Sequence, residues 1–112
     1  MEAGHEIRVS TSVKLAVTAT GTFVAVPSWA RVIRVYVEGA HVWLRTGDAT
    51  LVGTDVQTDT QSTTAQDYLV PNGLLDYSMI VAPETIGRIG LRTATGTTAN
   101  AWVSFVIPRY RR

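Results

Sequence analysis

Two histidines, His5 and His41, are the side chains of this sequence best suited to moving a proton near neutral pH. Neither stands in a His-x-His or His-Glu-x-x-His spacing, which would bring a second ligand or a base onto the same face. His5 lies near a chain end and His41 beside a predicted turn, so both read as solvated residues. The aspartates Asp48, Asp55, Asp59, Asp67 and Asp76 are spread through predicted loops and edges. A glycosidase pair needs only two carboxylates close in space. No spacing selects such a pair here, and loop aspartates ordinarily cap turns. Asp55-Val56-Gln57-Thr58-Asp59 has the opening of a calcium loop without the glycine and distal glutamate that close one. There is no Gly-x-Ser-x-Gly elbow and no phosphate-cradling glycine loop. Without cysteine, disulfides and thiolate metal sites are excluded. The expectation is a protein that is not an enzyme, with no catalytic residues, no metal and no cofactor.

The aromatic and arginine side chains carry more information. Lys14 is the one lysine, and every other cation is arginine. The planar guanidinium pairs bidentately with carboxylates and stacks on aromatics, which suits interfaces. Val42 and Leu44 share one face of a predicted strand, so Trp43 points the opposite way with His41 and Arg45. Arg34 and Tyr36 alternate outward in the preceding strand, and Trp102 occupies the second face of the last one. Trp43, Tyr36 and Arg34 are expected to form an anchor patch, because aromatics and arginines dominate interface energetics. Arg45, Trp102 and the end Arg109-Tyr110-Arg111-Arg112 complete the candidate protein interface. The blander reading is core or edge packing for each tryptophan and a solvated terminus for the arginines. A rival binding reading has Trp43 or Trp29 stacking on a sugar.

The elements that must position these residues are short strands. Threonine and valine, stiff at the first side-chain torsion, dominate the chain and favour strands over helices. Alternation recurs in Ile7–Val9, Val13–Val17 and Phe23–Val26, the last stopped by Pro27. Arg31–Glu38 is the clearest strand, with Ile33, Val35 and Val37 on one face. Gly39-Ala40 is read as the turn of a hairpin into His41–Thr46. Leu51–Val56 is read as a strand or edge followed by a polar loop over Thr58–Gln66. Tyr68–Val70, the turn Pro71-Asn72-Gly73 and Asp76–Val81 follow, with Pro83 as a stop. Ile86–Thr93 and Ala101–Ile107 are read as a long hairpin turning at Thr95-Gly96-Thr97-Thr98. Pro108 is expected to end the last strand, which is apolar on both faces and so central or covered. The spacing predicts an all-β, single-domain antiparallel β-sandwich, jelly-roll-like, with about eight strands.

Composition bounds the partners. At 112 residues the chain makes one domain, residues 1–112, with flexible ends at 1–6 and 109–112. It is 46% hydrophobic, outside the range of disordered chains. Its 17% of charged residues falls below the roughly 25% of soluble proteins, so much of the surface is Thr, Ser, Ala and Gly or is hidden by a partner. A net charge of +1 argues against direct nucleic-acid binding. The first residues are acidic and polar where a secretory leader is basic and then apolar. The longest uncharged stretches are broken by Thr, Gly or Pro and fall short of the roughly 20 apolar residues a membrane helix needs. The expectation is a protein made in the cytoplasm, leaving it only inside a larger particle, with no membrane partner.

Val32–Val37, the strand Val42-Trp43-Leu44-Arg45-Thr46-Gly47-Asp48, the motif Tyr68-Leu69-Val70-Pro71-Asn72-Gly73 and the segment Ile86–Ile107 with its Thr-Gly-Thr-Thr turn follow an order that resembles small virion proteins of tailed phages. In size and strand pattern the chain looks like the jelly-roll cement, or decoration, proteins that staple the capsids of some short-tailed bacteriophages. The resemblance covers most of the chain and contains no signature motif. It implies a structural protein of the virion, made in the host cytoplasm, that sits on the capsid surface. Its partners would be the major capsid protein and itself, as a homodimer or homotrimer, bridging neighbouring capsomers. Small tail or connector components share much of the same pattern.

Overall fold

Period-2 alternation of β-branched residues builds every long element of this protein. The computed structural model describes residues 5–57, 67–73, 77–80 and 86–110, with the side chains of 5–11, 77–80 and 107–110 left aside. The strands are β1 (His5–Val17), β2 (Thr22–Ala25), β3 (Val32–Glu38), β4 (Val42–Gly47), β5 (Tyr68–Val70), β6 (Tyr77–Ile80), β7 (Arg88–Arg92) and β8 (Ala99–Tyr110). One 3-10 turn spans Gly53–Asp55. Among the described residues no helix is long and apolar enough to cross a membrane, which says nothing of a β-barrel.

The pairs β1/β8, β2/β7, β3/β6 and β4/β5 are all antiparallel, as in one long hairpin folded at the β4–β5 connection. Two further ladders, β3/β8 and β4/β7, roll that hairpin into two four-stranded sheets. Their orders are β1-β8-β3-β6 and β2-β7-β4-β5, the arrangement of a jelly roll. The expected all-β jelly-roll sandwich is therefore the observed fold.

The inner faces meet as the alternation requires. Ile33, Val35, Val37, Ala101, Val103 and Phe105 from one sheet pack against Val42, Leu44, Val70, Ile89 and Leu91 from the other. All are at most 1% exposed, and a fully buried side chain of this kind is worth about 1.5–3 kcal/mol. β8 is central, as its two apolar faces suggested, with Val106 fully buried on the side away from this core.

Several local expectations are corrected. β3 and β4 do not form a hairpin, and neither do β7 and β8, because each pair is split between the sheets. Gly39 and Gly96 do turn the chain, but a turn sets its direction and not the ladder it joins. Leu51–Val56 is not a strand: it crosses the outer face of the β2-β7-β4-β5 sheet as a roof. Val56 packs over Gly90 and Leu51 over Gly47 and Gly90, in places where side chains would otherwise stand. Arg92 ties the roof down by donating to the carbonyls of Ala19, Thr54 and Val56, and Arg88 donates to that of Leu51. The chain ends also differ from expectation. Residues 5–6 lie in β1, with His5 opposite Tyr110 and Glu6 opposite Arg109. Ile7–Val9 and Val13–Val17 merge into one strand with an irregularity between Val9 and Thr11. Pro108 does not end β8; it lies opposite Ile7, where β8 has one neighbouring strand and a proline is tolerated. Residues 58–66, Pro83 and Arg111-Arg112 lie outside the described residues.

The tightest point of the roof is the approach of Gly53 to the β1–β2 turn. A Cβ at Gly53 would sit 2.3 Å from the Thr22 nitrogen and 2.4 Å from the Gly21 carbonyl carbon, with Gly21 itself at φ +87. Backbone cannot retreat as a side-chain tip can. Gly53→Ala is expected to lower stability by about 2 kcal/mol in urea unfolding followed by tryptophan fluorescence. An unchanged midpoint would show that the roof is not held against this turn.

Candidate functional site

On the β1-β8-β3-β6 sheet, Lys14, Trp102 and Tyr36 stand in one row across three strands. The Tyr36 and Trp102 rings are tilted at 43° with centroids 5.7 Å apart, and the Lys14 ammonium lies 5.4 Å over the Trp102 ring. Such aromatic and cation–π contacts order a surface that would otherwise be mobile. The Tyr36 hydroxyl donates to Glu38 Oε2 at 2.8 Å. In the next row the Ser12 and Ser104 hydroxyls pair at 2.9 Å, and half-buried Arg34 follows in register. Opposite charges and aromatic rings thus share one outer face.

The hydrogen bond to Glu38 raises the Tyr36 pKa above the ordinary 10.0, since a phenolate would lose the bond and face the carboxylate. A folded-state pKa raised above the unfolded one gives a contribution present below pH 10 and lost as pH rises past it. In an absorbance titration of the tyrosines, Glu38→Gln is expected to move the Tyr36 component to lower pH. A curve unaltered by that substitution would mean that the bond does not form.

The other sheet carries Trp43 and Arg45 on its outer side. Arg45 is not a free anchor: its Nε and Nη2 donate to Asp67 at 2.5 and 3.3 Å. The Asp67 side chain is 0% exposed and also accepts the Gln57 N–H at 2.8 Å, which closes the far end of the roof. Removing one partner of such a buried charged group leaves the other without compensation. Asp67→Asn is expected to lower stability by about 2 kcal/mol in urea unfolding, while Arg45→Lys recovers only part of the bidentate pairing. A stability unaltered in Asp67→Asn would remove this pair from the roof.

Trp43, half-buried, stands opposite Leu69 of β5 and forms one wall of an open cleft of about 310 Å³. Ala40, His41, Asn72, Ala94 and Thr97 complete it, drawn from the β3–β4, β5–β6 and β7–β8 connections. Asn72 N–H donates to His41 Nδ1 at 3.1 Å, and Gly39 N–H donates to Asn72 Oδ1 at 3.0 Å.

The single anchor patch expected from Arg34, Tyr36 and Trp43 is therefore two surfaces. β3 and β4 belong to opposite sheets, so Tyr36 and Arg34 face one way and Trp43 the other. Trp102 joins Tyr36, while Trp29 is partly buried and packs against the core. Arg109 and Tyr110 belong to β8 rather than to a loose tail, and Arg111 and Arg112 fall outside the described residues. His41 and Asn72, 31 residues apart, had no signal that would have paired them. Asp55, suspected of opening a calcium loop, accepts the Val52 N–H and caps the 3-10 turn.

No family model and no curated protein matches the chain. One solved structure to which it is similar is a Bacillus endospore appendage, described as belonging to a novel family of disulfide-linked pili. The match has a TM-score of 0.50 at 13% identity and covers 100% of this chain and 93% of that one. A likeness at that identity shows a shared sandwich fold.

Proposed function

We propose that this chain is a non-catalytic structural protein of a virion, docking on the outside of a phage capsid and bridging neighbouring capsomers. The observation that carries the reading is the ribbon formed by the outer ends of β1 and β8. β3 pairs with β8 from Asn100 to Val106, whereas β1 continues to pair with β8 as far as Tyr110. Four residues of each strand therefore run past the sandwich as a two-stranded arm, about 13 Å long at the rise of a strand. The molecule is correspondingly elongated, 51 × 28 × 23 Å.

A two-stranded ribbon on its own is marginal in water. Its unpaired backbone groups are templates for a further strand, so an arm of this kind is stabilised by a partner that pairs with it or covers it. Many copies on a lattice act multivalently, and modest contacts suffice for each. The Thr- and Ser-rich, sparsely charged surface costs little side-chain entropy to bury. The similar appendage is a pilus protein, which accords with a sandwich used for assembly. This chain has no cysteine, so its assembly does not use disulfide links.

The deciding measurement is sedimentation of the full chain alone and with empty, expanded capsids of the phage that encodes it. The chain alone is expected to run as a dimer or trimer, and with capsids to co-sediment to a saturating, lattice-like stoichiometry. Removing residues 1–8 and 107–112 together is expected to leave urea unfolding of the sandwich within about 1 kcal/mol and to abolish co-sedimentation. A full chain that ignores capsids overturns the cement reading and directs the same assay to tail and connector particles.

A further inference from the structure

We infer that the cleft beside Trp43 is a binding site for a neutral pyranose sugar. This inference does not rest on capsid docking. The cleft joins an apolar wall to polar groups whose directions are already set. Trp43 presents its indole on the outer side of β4, and Leu69, 41% exposed, continues the wall across the β4/β5 ladder. Ala40 and Ala94 add small apolar surface and leave the space open.

The hydrogen bonds at the rim determine what is offered to a ligand. Because His41 Nδ1 accepts the Asn72 N–H, the ring's donor is Nε2, on an exposed side chain. Gly39 N–H occupies Asn72 Oδ1, which orients the carboxamide and turns its NH2 group into a second donor. The Thr97 hydroxyl donates to Ala94 O at 2.7 Å, leaving its oxygen as an acceptor. These groups are held before any ligand arrives, which spares the cost of ordering them on binding.

The ligand class follows from this lining. A pyranose has a face of C–H groups that lies on an aromatic ring and a rim of hydroxyls that both donate and accept. Among the described residues none of those lining the cleft is charged, so an anion meets no counter-charge from them. The nearby Arg92 guanidinium is engaged by the carbonyls of Ala19, Thr54 and Val56. An organic cation likewise meets no carboxylate among the described lining residues. A purely apolar side chain would leave the rim donors buried and unpaired, a cost that disfavours it. At about 310 Å³ the cleft is at the lower end of ligand pockets, the size for a terminal sugar rather than a long chain.

The placement suits such a role. β8 begins at Ala99, beside the β7–β8 connection that lines the cleft, and ends at Tyr110 in the ribbon. Cleft and ribbon thus lie toward opposite ends of the molecule, and a copy held by its ribbon presents the cleft outward.

The test is a titration of the full-length protein with the methyl glycosides of glucose, galactose, mannose and N-acetylglucosamine, followed by amide and indole NMR signals. At least one sugar is expected to give saturable shifts at the Trp43 indole and the Asn72 side-chain amide. Trp43→Ala should weaken that binding at least tenfold, Asn72→Ala several-fold, and Trp102→Ala on the opposite sheet should leave it unaltered. Trp43→Phe, which keeps a ring in place, guards against loss of folding in the alanine variant and should retain part of the affinity. Shifts that never saturate with any of the four sugars, or binding undiminished in Asn72→Ala and Trp43→Ala, would overturn the inference. Failure here leaves capsid co-sedimentation unaffected, since that assay reads the ribbon.

Discussion

β8 is held by a ladder on each side, β1 along one and β3 along the other, and the remaining structure depends on this double pairing. It joins the first strand of the chain to the last, so a long loop must close before any bond of the β1/β8 ladder forms. The return comes from the inner face, where Val103 and Phe105 of β8 pack in the core cluster with residues of the opposite sheet. The same strand reaches from the cleft end of the sandwich to the tip of the ribbon, which places two candidate surfaces toward opposite ends of one rigid element.

The second organising feature is the roof over the β2-β7-β4-β5 sheet. An antiparallel sandwich ordinarily leaves its outer faces to water. Here Leu51 and Val56 are buried outside, above positions that glycine leaves open. Arginine is suited to holding such a segment, because one planar fork satisfies several backbone carbonyls that have no ladder of their own. Arg92, Arg88 and Arg45 act in this way, Arg45 through the buried Asp67. Three of the nine arginines are thus spent within the chain. What remains exposed divides by sheet: charged and aromatic rows around Trp102 on one side, and around Trp43 on the other a cleft whose described lining residues carry no charge.

This separation bears on how one small domain takes part in an assembly. The ribbon offers unpaired backbone, which favours protein partners through strand pairing. The cleft offers oriented side-chain donors and an aromatic wall, which favour a small polyol. The two chemistries do not compete for the same residues, so loss of one surface leaves the other in place.

Taken alone, the sequence determined the fold class, most of the strands and the face on which each side chain stands. A strand's side chains alternate strictly, so Ile33, Val35 and Val37 had to share one face, and Trp43 had to stand opposite Val42 and Leu44, whatever the neighbours were. Turn residues likewise marked where the chain reverses. Only the tertiary structure decided which strands share a sheet, because a reversal at Gly39 or Gly96 leads equally to a hairpin or to a crossing between sheets. That choice separated Tyr36 from Trp43 and put Trp102 beside Tyr36. It also decided the roof, since Leu51 and Val56 follow the same alternation whether they pair in a ladder or cover one. The cleft was illegible for a related reason: its residues come from three connections and two strands, and what brings His41 to Asn72 is the β4/β5 ladder, a long-range pairing that no local pattern encodes.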